Sequence, residues 1–168
     1  MKSARVLAAI AGALALQTTL ARYSIGGDTA VDLVLVVVVY VALAAGPVTG
    51  LLAGTAGGLA QDALGGGLVG VGGLAKTLVG FLVGVVGAQF IVAQPLSRFV
   101  VFFVATLLHA ACFYGLYALI EPRGFPAVAV LTQALGNGIV GVAAFQVAGM
   151  LPGLAVARHR RQRFKRRS

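Results

Sequence analysis

Glycines spaced four residues apart restrict the possible folds of this chain more than any other sequence feature. A first series ends in a carboxylate and consists of Gly46, Gly50, Gly54, Gly58 and Asp62. A second series follows a glycine-rich turn and consists of Gly72, Lys76, Gly80, Gly84 and Ala88. Residues four apart share a helix face, and an interior glycine costs a helix in water about 1 kcal/mol relative to alanine. In a membrane, small residues instead let two helices approach closely. The pattern therefore predicts a pair of tightly packed membrane helices.

The composition also indicates a membrane protein. The 168-residue chain is 60% hydrophobic and 10% charged, its mean hydropathy is +1.00, and soluble domains carry about 25% charged residues. Its formal charge of +9 is largely local, because seven of the thirteen Lys and Arg residues lie within 158–168. We therefore predict an all-α, polytopic helix bundle, with residues 1–157 as one transmembrane domain and 158–168 as a basic cytoplasmic tail.

Six apolar stretches are long enough to be spans, for which about 17–25 residues are needed. They are 5–21, 30–46, 48–64, 68–90, 99–120 and 126–154. A sharp reversal is expected at Gly46, because Pro47 disfavours helical geometry in the residue before it. The last stretch is too long for one straight helix, so we expect a bend or break at Asn137, which two glycines flank.

The distribution of basic residues predicts the orientation in the membrane. Lys2, Arg5, Arg98 and the tail all fall on one side of a six-span topology. The opposite loops contain or adjoin Arg22, Arg123 and the four acidic residues, which are Asp28, Asp32, Asp62 and Glu121. Both termini are therefore expected in the cytoplasm.

The first span has a second interpretation. Lys2 and Arg5 precede an apolar run that ends in Ala13-Leu14-Ala15, which is typical of a cleavable signal peptide. Cleavage would leave five spans and place the new N-terminus outside. A retained helix is preferred because no soluble domain follows it.

Two charges and two amides are the candidate polar sites within the spans. Lys76 is expected about 13 Å inside the fourth span, at about 1.5 Å per residue, where a lone ammonium costs about 2.5–3.5 kcal/mol. Asp62 is its nearest acidic residue in sequence, so we expect an Asp62–Lys76 ion pair that locks the third span to the fourth. A ligand or proton site, snorkelling, or a contact with a partner remain alternatives for Lys76. Gln133 and Asn137 share a helix face and are expected to make hydrogen bonds between helices rather than bind a substrate.

No pattern in the sequence indicates catalysis, a cofactor or a metal site. His109 and Cys112 have no further ligand at suitable spacing, so His109 is expected to be a packed or interfacial residue. The glycine clusters lack the Gly-Lys-Ser/Thr ending of a Walker loop. The tail follows a membrane span directly, which favours contact with anionic lipid headgroups over binding of nucleic acid.

Two segments resemble the MreD family of rod shape-determining membrane proteins. They are Gly57-Gly58-Leu59-Ala60-Gln61-Asp62-Ala63-Leu64-Gly65-Gly66 and, after Gly70, Ala75-Lys76-Thr77-Leu78-Val79-Gly80-Phe81-Leu82-Val83-Gly84. Asp32-Leu33-Val34-Leu35 is similar to the start of the family's second span, and Gly46-Pro47 is similar to the break after it. Chain length and span number also fit, so the resemblance extends over nearly the whole chain.

The resemblance implies a non-enzymatic scaffold in the bacterial inner membrane. Proteins of this family join MreC, and through it the MreB cytoskeleton, to the peptidoglycan synthase RodA and its penicillin-binding partner. On this view the glycine faces, at Gly46, Gly50, Gly54, Gly58, Gly80 and Gly84, serve helix packing and shape a surface for a partner's helix.

The family is also similar in fold to the S-components of energy-coupling-factor vitamin transporters. The alternative function is therefore a substrate-binding S-component, and the small-residue spacing of Ala9, Ala11, Ala13 and Ala15 would suit its docking. Against this alternative, the predicted outer loops hold no cluster of aromatic and polar residues for a vitamin. A third possibility is a small-solute carrier that uses Lys76 and Asp62.

Overall fold

The computed structural model describes residues 3–23, 31–66, 68–90, 92, 94–120 and 124–150. Within them the chain forms six α-helices and no strand. The helices are α1 (Ser3–Tyr23), α2 (Leu33–Ala45), α3 (Pro47–Gly65), α4 (Val71–Gln89), α5 (Pro95–Ile120) and α6 (Ala127–Met150). The predicted all-α bundle is confirmed, and each helix coincides with one predicted span. The tail, Asp28, Glu121 and Arg123 lie outside the described residues.

Three of the six helices are long and apolar enough to cross a membrane by length and composition. These segments are Val71–Gln89, Pro95–Ile120 and Ala127–Gly149, while Ala4–Thr19 and Leu33–Ala45 are shorter apolar stretches. Successive helices run antiparallel. We call the end where α3 stops and α4 begins the Asp62 end, and the opposite end, where α2 meets α3, the Gly46 end.

Helix α2 is the centre of the bundle and contacts all five other helices. It is only 13 residues long, it is apolar on every side, and seven of its residues are buried, as expected for a helix surrounded by protein. Its two sides belong to two apolar clusters. Leu35, Val36 and Val39 pack with Phe102 of α5 and with α4, whereas the opposite side packs with Val6, Ile10 and Ala13 of α1 and with Ala53 of α3.

The glycine series bring the backbones of α3 and α4 together. A Cβ atom added to Gly54 would lie 2.6 Å from the carbonyl carbon of Lys76, and one added to Gly58 would lie 2.6 Å from Gly73 Cα. Gly50 and Gly80 contact each other's carbonyl oxygens in the same way. Real Cβ atoms do not approach this closely, so larger residues would push the helices apart. These glycines therefore allow α3 to pack closely against α4.

At the Gly46 end, helix α4 packs against the turn between α2 and α3. A Cβ added to Gly84 would lie 2.6 Å from Pro47 N. Gly46 itself has φ +91°, a conformation that L side chains rarely adopt. It ends α2, and Pro47 begins α3 at once.

Helix α6 is continuous, so the predicted break at Asn137 is wrong. The glycines near it instead accommodate aromatic rings of α5. A Cβ added to Gly138 would lie 2.6 Å from Phe99 Cε2, and Gly141 lies against the ring of Phe102. These glycines therefore serve close packing of α6 against α5, and a bend at Asn137 stays a prediction.

Candidate functional site

A buried ion pair lies near the Asp62 end, and its acidic member is Asp32 rather than Asp62. Lys76 Nζ lies 2.8 Å from Asp32 Oδ2, and each residue is only 3% exposed. The predicted Asp62–Lys76 pair is corrected by this geometry. Because Gly58 packs against Gly73, Asp62 lies one turn beyond Lys76, while the start of α2 brings Asp32 next to it. The pair therefore joins α4 to α2.

Asp62 nevertheless links α3 to the start of α4. Its Oδ2 accepts hydrogen bonds from Gly70 N at 2.8 Å and Gly73 N at 3.0 Å. The first N–H groups of a helix have no partner within the helix, and a carboxylate placed there is favourable. The side chain of Asp62 thus caps α4 from the neighbouring helix.

His109 of α5 is the third member of the buried charge cluster. Lys76 Nζ lies 3.2 Å from His109 Nε2. An ammonium group can only donate, so Nε2 accepts and the ring proton is on Nδ1. This Nδ1 is buried and has no hydrogen-bond partner among the described residues. The expectation that His109 is packed is confirmed, and the structure adds its contact with Lys76.

Amide and hydroxyl side chains complete the network around the start of α2. Asn137 Oδ1 accepts from Asp32 N at 2.9 Å, and Asn137 Nδ2 donates to Thr106 Oγ1 at 3.0 Å. Gln17 Oε1 accepts from Val34 N at 3.2 Å, and Asp32 Oδ1 accepts from Leu35 N at 2.9 Å. The N–H groups of Asp32, Val34 and Leu35 are therefore paired with α6, with α1 and with the N-cap of α2, respectively.

The two predicted amides differ in the role that the structure gives them. Asn137 is 1% exposed and bonds to Asp32, directly before α2, and to Thr106 of α5, so it lies between these helices. Gln133, one turn nearer the Asp62 end, lies on the wall of a cavity. An interhelical hydrogen bond of Gln133 stays a prediction.

That cavity lies at the Asp62 end, beside the buried Asp32–Lys76 ion pair, and has a volume of about 270 Å³. Its lining consists of Asp32, Gln61, Asp62, Gly65, Leu68, Gly72, Lys76, His109, Ala110, Phe113, Tyr114, Tyr117 and Gln133. Leu68 is 43% exposed and marks the mouth, whereas the ion pair forms the floor. Residues of α2 to α6 therefore contribute to one site.

Aromatic rings on α5 form one wall of the cavity. His109 stacks on Phe113 with ring centroids 5.9 Å apart, and Phe113 meets Tyr117 at 5.0 Å. The hydroxyl oxygen of Tyr117 accepts a hydrogen bond from Leu68 N at 3.3 Å. These three residues are spaced four apart, and that periodicity is the sequence signal that could have identified the wall.

Within the described residues, no group of three or more His, Cys, Asp and Glu side chains could hold a metal ion. The charges that are present instead form an ion pair and a helix cap. This arrangement fixes helices relative to one another and leaves a polar cavity beside them.

Comparison with known proteins identifies one family. A family model described as rod shape-determining protein MreD matches residues 6–147, from α1 into α6. No curated protein and no solved structure is significantly similar to the chain. The expected similarity to the S-component fold therefore stays a prediction.

Proposed function

The chain belongs to the MreD family of rod shape-determining membrane proteins, and from this premise we propose that it is a non-enzymatic scaffold of the cell-elongation complex. In this role it binds MreC and helps couple the MreB cytoskeleton to RodA and its penicillin-binding partner during peptidoglycan synthesis. The family match, which extends over residues 6–147, carries the proposal.

The interior of the bundle supports a scaffold role. Polar side chains of α1, α4 and α6 meet the first turn of α2 or the Asp32 carboxylate at its start. His109 and Thr106 of α5 join this network through Lys76 and Asn137, and α3 is held to α4 by direct backbone contact. Such a network fixes the relative positions of the helices, because moving any one of them would leave a buried polar group unpaired. A fixed bundle presents a constant surface to partner helices.

The glycine faces are not the proposed surface for a partner. Gly50, Gly54 and Gly58 are covered by α2 and α4, so their contribution to binding is indirect and consists of holding α3 and α4 together. Residues on the lipid side of the five outer helices are available for direct contact.

We also propose that the Gly46 end faces the cytoplasm of the bacterial cell. Arg5 near the start of α1 and Arg98 near the start of α5 lie at this end, and the basic tail follows α6 there. An excess of Lys and Arg is typical of cytoplasmic loops. The tail would then contact anionic headgroups of the inner leaflet. Reporter fusions to the C-terminus test this orientation, and an active extracytoplasmic reporter there would contradict it.

The first experiment is a pull-down of the tagged chain from its own host in mild detergent, read by mass spectrometry. We expect MreC, with or without RodA and its penicillin-binding partner. Recovery of a transporter coupling subunit with its ATPases, and no MreC, would overturn the scaffold proposal and favour the vitamin-transporter alternative.

A second experiment identifies the helices that MreC contacts. A photo-crosslinking amino acid is placed at one exposed position on each of five helices, namely Leu7, Leu52, Leu78, Val104 and Ile139, which are 43–64% exposed. Direct binding predicts crosslinks to MreC from one helix or from two neighbouring helices. Absence of any MreC adduct, while adducts with lipid still form, would argue against direct contact.

A further inference from the structure

The cavity at the Asp62 end contains two buried polar atoms that nothing in the scaffold role explains. His109 Nδ1 and Gln61 Oε1 have no hydrogen-bond partner among the described residues, and both residues line the cavity. His109 is 7% exposed, so bulk solvent does not reach its ring freely. Buried polar groups nearly always have a hydrogen-bond partner, so these two atoms indicate that a further molecule binds in the cavity.

The two atoms have opposite hydrogen-bonding character. Because Lys76 donates to Nε2, Nδ1 of His109 carries a proton and offers a donor. The Oε1 atom of Gln61 offers an acceptor. A ligand that satisfies both atoms must present an acceptor to Nδ1 and a donor to Oε1, and a carboxamide carries one of each.

The charges of the cavity floor are already balanced. Asp32 and Lys76 neutralise each other at 2.8 Å, and Asp62 Oδ2 already accepts two backbone N–H groups. An anionic ligand would need a further cation to offset its desolvation, and the described lining residues hold none besides Lys76. An uncharged ligand needs none.

The wall and the size of the cavity restrict the rest of the ligand. The rings of His109 and Phe113 stack, and Tyr117 is tilted by 42° from Phe113. Together they present an aromatic surface, against which a flat apolar body packs well. The volume of about 270 Å³ lies near the lower end of small-molecule sites. We propose that this cavity binds a small, uncharged, flat organic molecule through a carboxamide-type edge.

Benzamide is the simplest probe of this chemistry, because it joins a carboxamide to a flat ring. The purified full-length chain in nanodiscs is dialysed to equilibrium against radiolabelled benzamide, and empty nanodiscs correct for partition into lipid. We expect saturable binding to the wild-type protein. No saturable binding up to about 10 mM, which corresponds to less than about 3 kcal/mol of binding free energy, would mean that the cavity holds only water and would overturn the proposal.

Substitutions locate the bound molecule. Gln61→Leu and His109→Phe each remove one of the two unpaired atoms and should weaken binding about tenfold, the loss of one hydrogen bond. Gln146→Leu is the matched control, because Gln146 lies exposed on α6 and does not line the cavity. His109→Phe also removes a partner of Lys76 and could impair folding, so Gln61→Leu decides the outcome. Equal binding by Gln61→Leu and Gln146→Leu would contradict the proposal. The assay contains no partner protein, so its result is independent of the proposed scaffold function.

Discussion

The ion pair between Asp32 and Lys76 leads to the most specific prediction about stability. At the observed separation of 2.8 Å, the attraction between two unit charges is about 6 kcal/mol at an effective dielectric constant of about 20. Much of this offsets the desolvation of both groups, so the pair itself adds little stability. Removing one member leaves the other charge buried, which typically costs about 3–5 kcal/mol. We therefore expect Lys76→Met and Asp32→Asn each to be strongly destabilising.

The two substitutions together should cost much less than their sum. Asparagine at position 32 keeps the N-cap of α2, so Asp32→Asn removes the charge and little else. In the double variant no unpaired charge remains, and we expect a coupling free energy of about 2–3 kcal/mol. Unfolding of the purified protein in mixed dodecyl maltoside and SDS micelles measures each free energy.

Asp62 supplies the matched control for this cycle. Asp62→Asn should cost about 1 kcal/mol, because an amide oxygen still accepts from the start of α4. Its coupling with Lys76→Met should stay below about 0.5 kcal/mol, as for sites that share no partner. The reasoning is refuted if Lys76 couples more strongly to Asp62 than to Asp32, or if the Asp32 and Lys76 effects are additive.

Three further predictions concern packing and the polar network, and unfolding in the same micelles measures all of them. Gly54→Ala should destabilise the protein by about 1–3 kcal/mol, because its Cβ would overlap the α4 backbone. Gly115→Ala is the control and should be neutral or stabilising, because nothing lies within 4 Å of its Cβ. Equal effects of the two substitutions would contradict the proposed role of the glycines. Asn137→Leu leaves the N–H of Asp32 without its partner and should cost about 2–3 kcal/mol, and a loss below about 0.5 kcal/mol would argue against the network. Gln17→Leu removes the acceptor for Val34 N and should cost about 1–2 kcal/mol; an unchanged midpoint would place that contact outside the network.

Sequence reasoning predicted the features that depend on neighbours along the chain. The spacing of Gly50, Gly54 and Gly58 predicts close packing with the next helix, because a short turn forces α4 to return beside α3. Gly46-Pro47 predicts the reversal for the same local reason. Such features need no knowledge of how distant helices align.

The ion pair was missed because it depends on the alignment of two helices that are far apart in sequence. Asp62 is closer to Lys76 along the chain, but Asp32 is closer in space because α2 begins at the same depth as Lys76. The break at Asn137 was wrongly predicted for a related reason. Glycine is compatible both with a break in a helix and with a close aromatic neighbour, and only the tertiary structure shows the ring of Phe99 beside Gly138.

The central position of α2 has a consequence for how the family can vary its sequence. A lipid-facing helix such as α5 alternates between tolerant and constrained positions, because Val100 and Val104 are about half exposed while Phe102 and Ala105 are 1% exposed. Helix α2 has seven buried residues among thirteen, and only Ala44 is exposed, so nearly every substitution in it changes packing against a neighbouring helix. A mutational scan should accordingly show a strong period of about 3.6 residues in α5 and a weaker one in α2. The shortest helix of the bundle is thus expected to evolve most slowly.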